Sequence, residues 1–264
     1  MRGIDVSYHN KNIDWKTVKS SGIDFVIIRA GYGHETDTLF RYNIENAKKA
    51  GLKVGVYWFA YALDEADARS EADYCYNIIK QYKLDLPVYY DFEYDTERYA
   101  NDHNVTFTKD KRTAIIKAWC DRMTEYGYRV GVYLNPDYIK NKVNFEDLRG
   151  YTLWLASWVT NGETNFAVNK RDAVYNEGLW QFGIGRVNGI SGNVDLNYSY
   201  LCDDAKTDNE PSEWSKEAIE WAVKNKILQG DENGDYKLRE PCTTERFITL
   251  LHRALKNIEL EIGE

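Results

Sequence analysis

One repeated order constrains this 264-residue chain more than any other feature: a short apolar β-prone run, then a stretch with helical spacing, then another run. Ile4–Val6 and Phe25–Arg29 are followed by the helical stretches Asp14–Ser20 and Arg41–Ala50. Val54–Phe59, Pro87–Phe92 and Val130–Leu134 repeat the order, with Glu65–Tyr82 and Lys109–Tyr126 as long helices beside them. Regular alternation of this kind predicts an α/β fold, a parallel sheet covered by helices. The later runs Leu153–Ala156, Gly178–Phe182 and Val194–Leu196 are separated by segments too short or too polar for full helices. A barrel that begins as β/α units and closes with plain strands is therefore expected over residues 1–201. The acidic, Pro-containing stretch CDDAKTDNEPSE, 202–213, reads as a linker, and residues 214–264 as a second, smaller unit. No low-complexity stretch or internal repeat is visible.

Composition removes several function classes. A net charge of -8 excludes nucleic acid as the expected partner, because phosphate recognition needs clustered Lys and Arg. No apolar run nears the roughly 18 residues of a membrane helix, so no membrane insertion is expected. Met1-Arg2-Gly3-Ile4-Asp5 lacks the basic-then-apolar order of a signal peptide. The expectation is a protein made in the cytoplasm that acts after release by another route. Cys75, Cys120, Cys202 and Cys242 form no Cys-x-x-Cys pair and are read as reduced thiols. His9, His34, His103 and His252 are scattered without ligand spacing, so neither a metal nor another cofactor is expected. The unusual count is aromatic, 21 Tyr and 8 Trp, and such rings suit a carbohydrate partner as well as a core.

The chemistry centres on Leu86-Pro87-Val88-Tyr89-Tyr90-Asp91-Phe92-Glu93. In a strand, residues i and i+2 share a face about 6.6 Å apart, so Asp91 and Glu93 should project together. Parallel barrels carry their functional groups at the C-terminal ends of strands, where this pair falls. Repulsion between two such acids raises one pKa and leaves the other ionised, the division of labour that glycoside hydrolysis needs. Asp5 and Asp195 also lie at strand runs, the first and the last, which a closed barrel brings side by side. Asp5, Ser7 and His9 do not read as a nucleophile triad, because alternate residues of one strand cannot hydrogen-bond in series. Tyr57, Tyr61, Tyr133, Trp154, Trp158 and Trp180 fall at or just past strand runs, where rings can meet the apolar faces of sugars.

At these residues the chain resembles the glycoside hydrolase family 25 lysozymes, the Chalaropsis-type N-acetylmuramidases. Gly3-Ile4-Asp5-Val6-Ser7, Phe25 to Gly33, Ala50 to Tyr57, Tyr90-Asp91-Phe92-Glu93, Gly131-Val132-Tyr133, Trp154-Leu155-Ala156, Trp180-Gln181-Phe182 and Val194-Asp195-Leu196-Asn197 look like its blocks, in its order. The resemblance implies an irregular TIM-like barrel of five β/α units closed by three further strands. The activity implied is cleavage of the β-1,4 bond from N-acetylmuramic acid to N-acetylglucosamine in bacterial peptidoglycan. Carried over by position, Glu93 is the general acid, Asp91 assists at the 2-acetamido group or the developing charge, and Asp5 and Asp195 complete the acidic site. Gln181 and Asn197 join the aromatic residues as expected sugar contacts. Trp158 departs from the family, where many members carry a smaller aromatic. A family 18 chitinase also ends a strand with Asp-x-Glu, but with further aspartates where this chain has Pro87, Val88 and Tyr89. A sugar-binding module that lost catalysis is the opposing class, and all four acids speak against it.

The tail reads helix, loop, helix, with Trp214, Ala218, Trp221 and Ala222 at helical spacing and Thr243 placed to cap Glu245–Leu255. Gly230-Asp231-Glu232-Asn233-Gly234-Asp235-Tyr236 is not expected to bind calcium, because its Gly falls at the fourth place and Cys242 stands where the bidentate Glu belongs. The segment is similar to a single S-layer homology motif, which implies binding to a cell-wall polymer. A homo-oligomer through residues 214–264 is the other expectation.

Overall fold

The computed structural model describes residues 1–201, 211, 215–230, 234, 236–238 and 242–262. They belong to two compact units, Met1–Leu201 and Cys202–Glu264. In the first, the strands are β1 (Arg2–Val6), β2 (Phe25–Tyr32), β3 (Glu35–Thr36), β4 (Lys53–Phe59), β5 (Val88–Asp91), β6 (Val130–Leu134), β7 (Thr152–Ala156), β8 (Glu163–Thr164), β9 (Leu179–Arg186) and β10 (Asn193–Ser199). The helices are α1 (Trp15–Ser20), α2 (Phe40–Lys49), α3 (Glu65–Ile79), α4 (Tyr94–Asp102) and α5 (Lys109–Glu125). Eight of the strands close in the order β1-β10-β9-β7-β6-β5-β4-β2, with β1 pairing β2 to complete the ring. Every pairing around the ring is parallel except the two made by β10, which is antiparallel to both β9 and β1. The barrel therefore opens as β/α units and closes with plain strands, as the run lengths required.

Helix starts follow their capping residues. Asp14 accepts from Thr17 N–H at 3.2 Å, Asp64 from Asp67 N–H at 2.9 Å and Thr108 from Lys111 N–H at 3.2 Å. Each such cap contributes about 1 kcal/mol by satisfying a donor the helix leaves open. Helix α4 was not expected from sequence. Its segment YDTERYAND buries only Thr96 and Ala100, so it offers no apolar stripe to recognise. After β6 no full helix forms; a π-type turn (Tyr138–Lys142) and a 3-10 turn (Phe145–Leu148) replace it.

Strand alternation divides the core in two. Outward-facing Ile4, Val26, Ile28, Val54, Val56, Val88, Tyr90 and Val132 pack beneath the helices. The interior holds Phe25, Ile27, Tyr57, Leu86, Tyr89, Trp154 and Leu179. So many rings fit only because small residues face them. A Cβ on Gly3 would lie 2.2 Å from the Phe25 ring, and one on Gly131 2.3 Å from the Tyr89 ring. The bottom of the barrel is thus plugged, and the open space lies at the C-terminal ends of the parallel strands.

The second unit has α6 (Lys216–Lys224) and α7 (Thr244–Ile262). Thr243 caps α7 through Arg246 N–H at 3.2 Å. Arg253 donates to Ile227 O at 3.1 Å, tying α7 to the turn after α6, where Ile227 and Leu228 are buried. Trp214, the linker 202–213 apart from 211, and the acidic loop 231–235 apart from 234 lie outside the described residues.

Candidate active site

Each strand of the barrel delivers one inward side chain to the same rim. Asp5 comes from β1, Arg29 from β2, Tyr57 from β4, Asp91 from β5, Tyr133 from β6, Trp154 from β7, Gln181 from β9 and Asp195 from β10. These residues line one cleft of about 650 Å³ together with Glu93, Tyr61 and Trp158. Strand β5 ends at Asp91, so Glu93 is not a strand residue. It is the N-cap of α4, with φ -143° and ψ -168°, and this extended backbone keeps it on the face of Asp91. Its backbone N–H donates to Thr96 Oγ1 at 3.2 Å, which fixes the turn.

Four carboxyls in one cleft cannot all ionise cheaply. Burial raises the pKa of Asp91 well above the usual carboxylate value, and the charges of Glu93 and Asp5 push the same way against the lowering effect of Arg29. Burial also raises Glu93, with Arg98 opposing and Asp5 reinforcing. Asp195 is pushed up to about 8 by burial and by Asp5 and Glu93. Asp5 rises only to about 6, because hydrogen bonds from Gln181 and Asn197 offset its burial. The cleft therefore holds protons at neutral pH. Asp91 Oδ1 is buried without a hydrogen-bond partner, so it can take either a proton or a donor brought by a ligand.

A chain of amides sets the position of Asp5. Gln181 Nε2 and Asn197 Nδ2 donate to its Oδ2 at 3.0 and 2.7 Å. Gln181 Oε1 accepts from Tyr133 OH and Trp158 Nε1, both at 2.9 Å, and Asn197 Oδ1 accepts from Trp154 Nε1 at 2.8 Å. Three cleft aromatics are thereby oriented through the same network that holds the acid. Asn197 itself is fully buried behind Asp5 and does not line the cleft.

Trp180 departs from the sequence expectation. Gln181 points inward, so its strand neighbour must point outward. Trp180 is buried against Phe182 and Tyr198, stacks under Arg171 and donates to Ser157 O at 2.8 Å. It packs the barrel wall and does not reach the cleft. Tyr57, Tyr61, Tyr133, Trp154, Trp158 and Gln181 do line it. Sequence reading missed Arg29, Tyr8, Tyr32 and Asn193 as cleft residues. Arg29 was legible by the rule that found Asp91: Phe25, Ile27 and Arg29 share a face, and the charge ends an apolar run. Ser7 Oγ accepts from His9 N–H at 3.3 Å as a turn cap, and the His9 ring lies on Tyr8, so these residues form no triad with Asp5.

A closed β/α barrel with paired acids and aromatic walls at its C-terminal rim defines a barrel glycoside hydrolase. The chain matches the profile of the glycosyl hydrolases family 25 over residues 4–189, and it belongs to that family. It is 31% identical over 202 residues to the autolytic lysozyme of Clostridium acetobutylicum, covering 75% of this chain and 55% of that protein. The modular autolysin LytC of Streptococcus pneumoniae, solved with a synthetic peptidoglycan ligand, is 31% identical with a TM-score of 0.63. The match covers 74% of this chain and 46% of LytC. The bacterial lysozyme of Streptomyces coelicolor shares the fold, with a TM-score of 0.59 at 24% identity, over 83% of this chain and 96% of that one. The chain thus spans about half the length of the autolysins it matches.

Proposed function

We propose that this protein is a muramidase that cleaves the β-1,4 bond between N-acetylmuramic acid and N-acetylglucosamine in bacterial peptidoglycan. The observation that carries the reading is the Asp91 and Glu93 pair at the rim of the family 25 barrel, both pushed up in pKa by burial. Glu93 acts as the general acid: burial raises its pKa, which favours the protonated form that donates to the leaving oxygen. Asp91 receives the acetamido N–H of the substrate at Oδ1, the atom without a partner in the protein. That donor replaces the missing hydrogen bond and favours the ionised form, so charge develops on Asp91 while Glu93 keeps its proton. Asp5 and Asp195 complete the acidic cleft, and Tyr57, Tyr133, Trp154 and Trp158 supply faces for the sugars. Mass spectrometry of fragments released from purified peptidoglycan tests this. Reducing-end muramic acid is expected; reducing-end glucosamine or intact glycan overturns it.

The site of action follows as the cell wall. Among the described residues no helix is long and apolar enough to cross a membrane. For residues 214–264 the reading is wall attachment through an S-layer-homology-like helix pair, which raises the local concentration of an acidic enzyme on an anionic wall. Self-association of that unit is its second part. It rests on apolar side chains exposed on α6 and α7, among them Trp221, Phe247 and Leu251.

A further inference from the structure

Two rings of the cleft wall are held by a buried cation. Arg29 is tied through Nε to Asp37 Oδ2 at 2.9 Å, and its guanidinium lies 4.9 Å from the Tyr8 ring centroid and 5.1 Å from that of Tyr32. The same Asp37 oxygen accepts from Tyr8 N–H at 3.0 Å, and Oδ1 accepts from Leu39 N–H at 2.9 Å. One carboxylate therefore joins the turn after β1, strand β2 and the start of α2. A flat, delocalised guanidinium can lie over two rings at once, and a compact ammonium does not reproduce that contact. Arg29 Nη2 is buried with no acceptor.

Tyr32 faces more than the cleft. With Tyr61 it also lines a second cavity of about 310 Å³, walled further by Tyr99, Glu35 and Asp67. Tyr61 is fixed from behind: its backbone N–H donates to the buried Glu71 carboxyl at 2.9 Å, and Glu71 also accepts from Tyr90 OH at 2.8 Å. Its ring packs at 4.6 Å on Tyr99 and passes close over Gly33, where a Cβ would come to 3.3 Å. The two cavities thus share two rings, each held in place without any ligand.

We propose that the second cavity is an outer subsite of the cleft. It takes one further sugar residue of a glycan strand against Tyr32, Tyr61 and Tyr99, with Arg29 as the positioning residue that holds the shared wall. A pyranose presents an apolar C–H face to a ring and hydroxyl donors to a carboxylate edge, which Glu35 and Asp67 provide. A peptide stem ending in a carboxylate meets like charge there. Preformed rings bind at a lower ordering cost, which is what the Arg29 and Glu71 clamps secure. The proposal rests on the muramidase reading for its ligand.

The test uses purified glycan oligomers of increasing length, each measured two ways: cleavage by the parent chain, and binding to the Glu93→Gln variant. Tyr99→Ala is expected to lower the preference for long over short oligomers roughly three- to tenfold, the range one aromatic contact commands. Arg29→Lys keeps the charge but loses the stacking, and is expected to lower the same preference through KM more than through kcat. An unchanged length preference in Tyr99→Ala, in cleavage and in binding, overturns the subsite. An unchanged preference in Arg29→Lys removes Arg29 from it. Length-dependent binding with no cleavage of any oligomer by the parent sinks the muramidase reading and leaves the subsite standing.

Discussion

Asp5 and Asp195 sit directly opposite each other in the antiparallel ladder of β1 and β10, the seam at which the barrel closes. Opposed residues share a face, and like charges there are destabilising, so the seam is built around a held proton. Asp195 carries more of that load. Its pKa of about 8 exceeds the value of about 6 at Asp5, which has two amide donors.

A stability prediction follows from the sign of that shift. Between its ordinary value of 3.8 and about 8, Asp195 holds a proton in the folded state and not in the unfolded one. The fold therefore binds more protons, and its stability falls as pH rises through that window, by up to about 1.4 kcal/mol per pH unit for one group. Asp195→Asn cannot ionise. It should melt higher than the parent at pH 8 and show no advantage at pH 4, by calorimetry at both values. An equal difference at the two pH values would show that Asp195 does not titrate as described.

Glu93→Gln keeps shape and removes the proton. Lysis of substrate cells should drop about 10²- to 10⁴-fold, the usual worth of a general acid, while sedimentation with cell walls is retained. Turbidity assays settle it; a variant within about threefold of the parent, well inside that acid-catalysis range, means that the acid is elsewhere.

How far the fold and site could be read from sequence depended on periodicity. The eight barrel strands are legible as apolar runs, and the acids of the cleft as charges within or just past those runs. What failed was local. Trp180 falls within the run Gly178–Phe182 and matches a family block, which points to the cleft, yet alternation with the inward Gln181 turns it outward. Helix α4 was missed because it packs through Thr96 and Ala100 alone. Glu93 kept its predicted neighbour Asp91 for a different reason than predicted, as an N-cap in extended backbone and not as a strand residue. The clamp at Asp37 joins residues eight and twenty-nine positions apart, and no spacing rule exposes it.

The plugged barrel floor makes a packing prediction. A Cβ at Gly131 meets the Tyr89 ring at 2.3 Å and the Thr152 carbonyl at 2.5 Å, so backbone must move to admit it. Gly131→Ala should cost about 1–3 kcal/mol, the usual range for overpacking. Gly150→Ala, whose Cβ meets nothing within 4 Å, should stay within about 0.5 kcal/mol of the parent. Urea unfolding of the two variants beside the parent checks this, and equal midpoints would mean that the interior is not tightly packed at Gly131.

The last prediction concerns residues 214–264. Phe247, Leu251 and Leu255 recur at four-residue spacing along α7, and each is about half exposed, as are Ile248 and, on α6, Trp221. A helix pair of some fifty residues is at the edge of what buries a core alone, so such a stripe calls for a partner. Another copy of the same unit supplies a matching apolar face, and several copies together add avidity on a repetitive wall polymer. Light scattering of the full chain and of a 1–204 truncation measures the consequence. The full chain should be an oligomer and the truncation a monomer, and binding of the full chain to walls should weaken on dilution below the dissociation constant of the oligomer. A full chain that stays monomeric at high micromolar concentration sinks the self-association reading, because an exposed apolar stripe that meets its own copies at that concentration without pairing is not an interface.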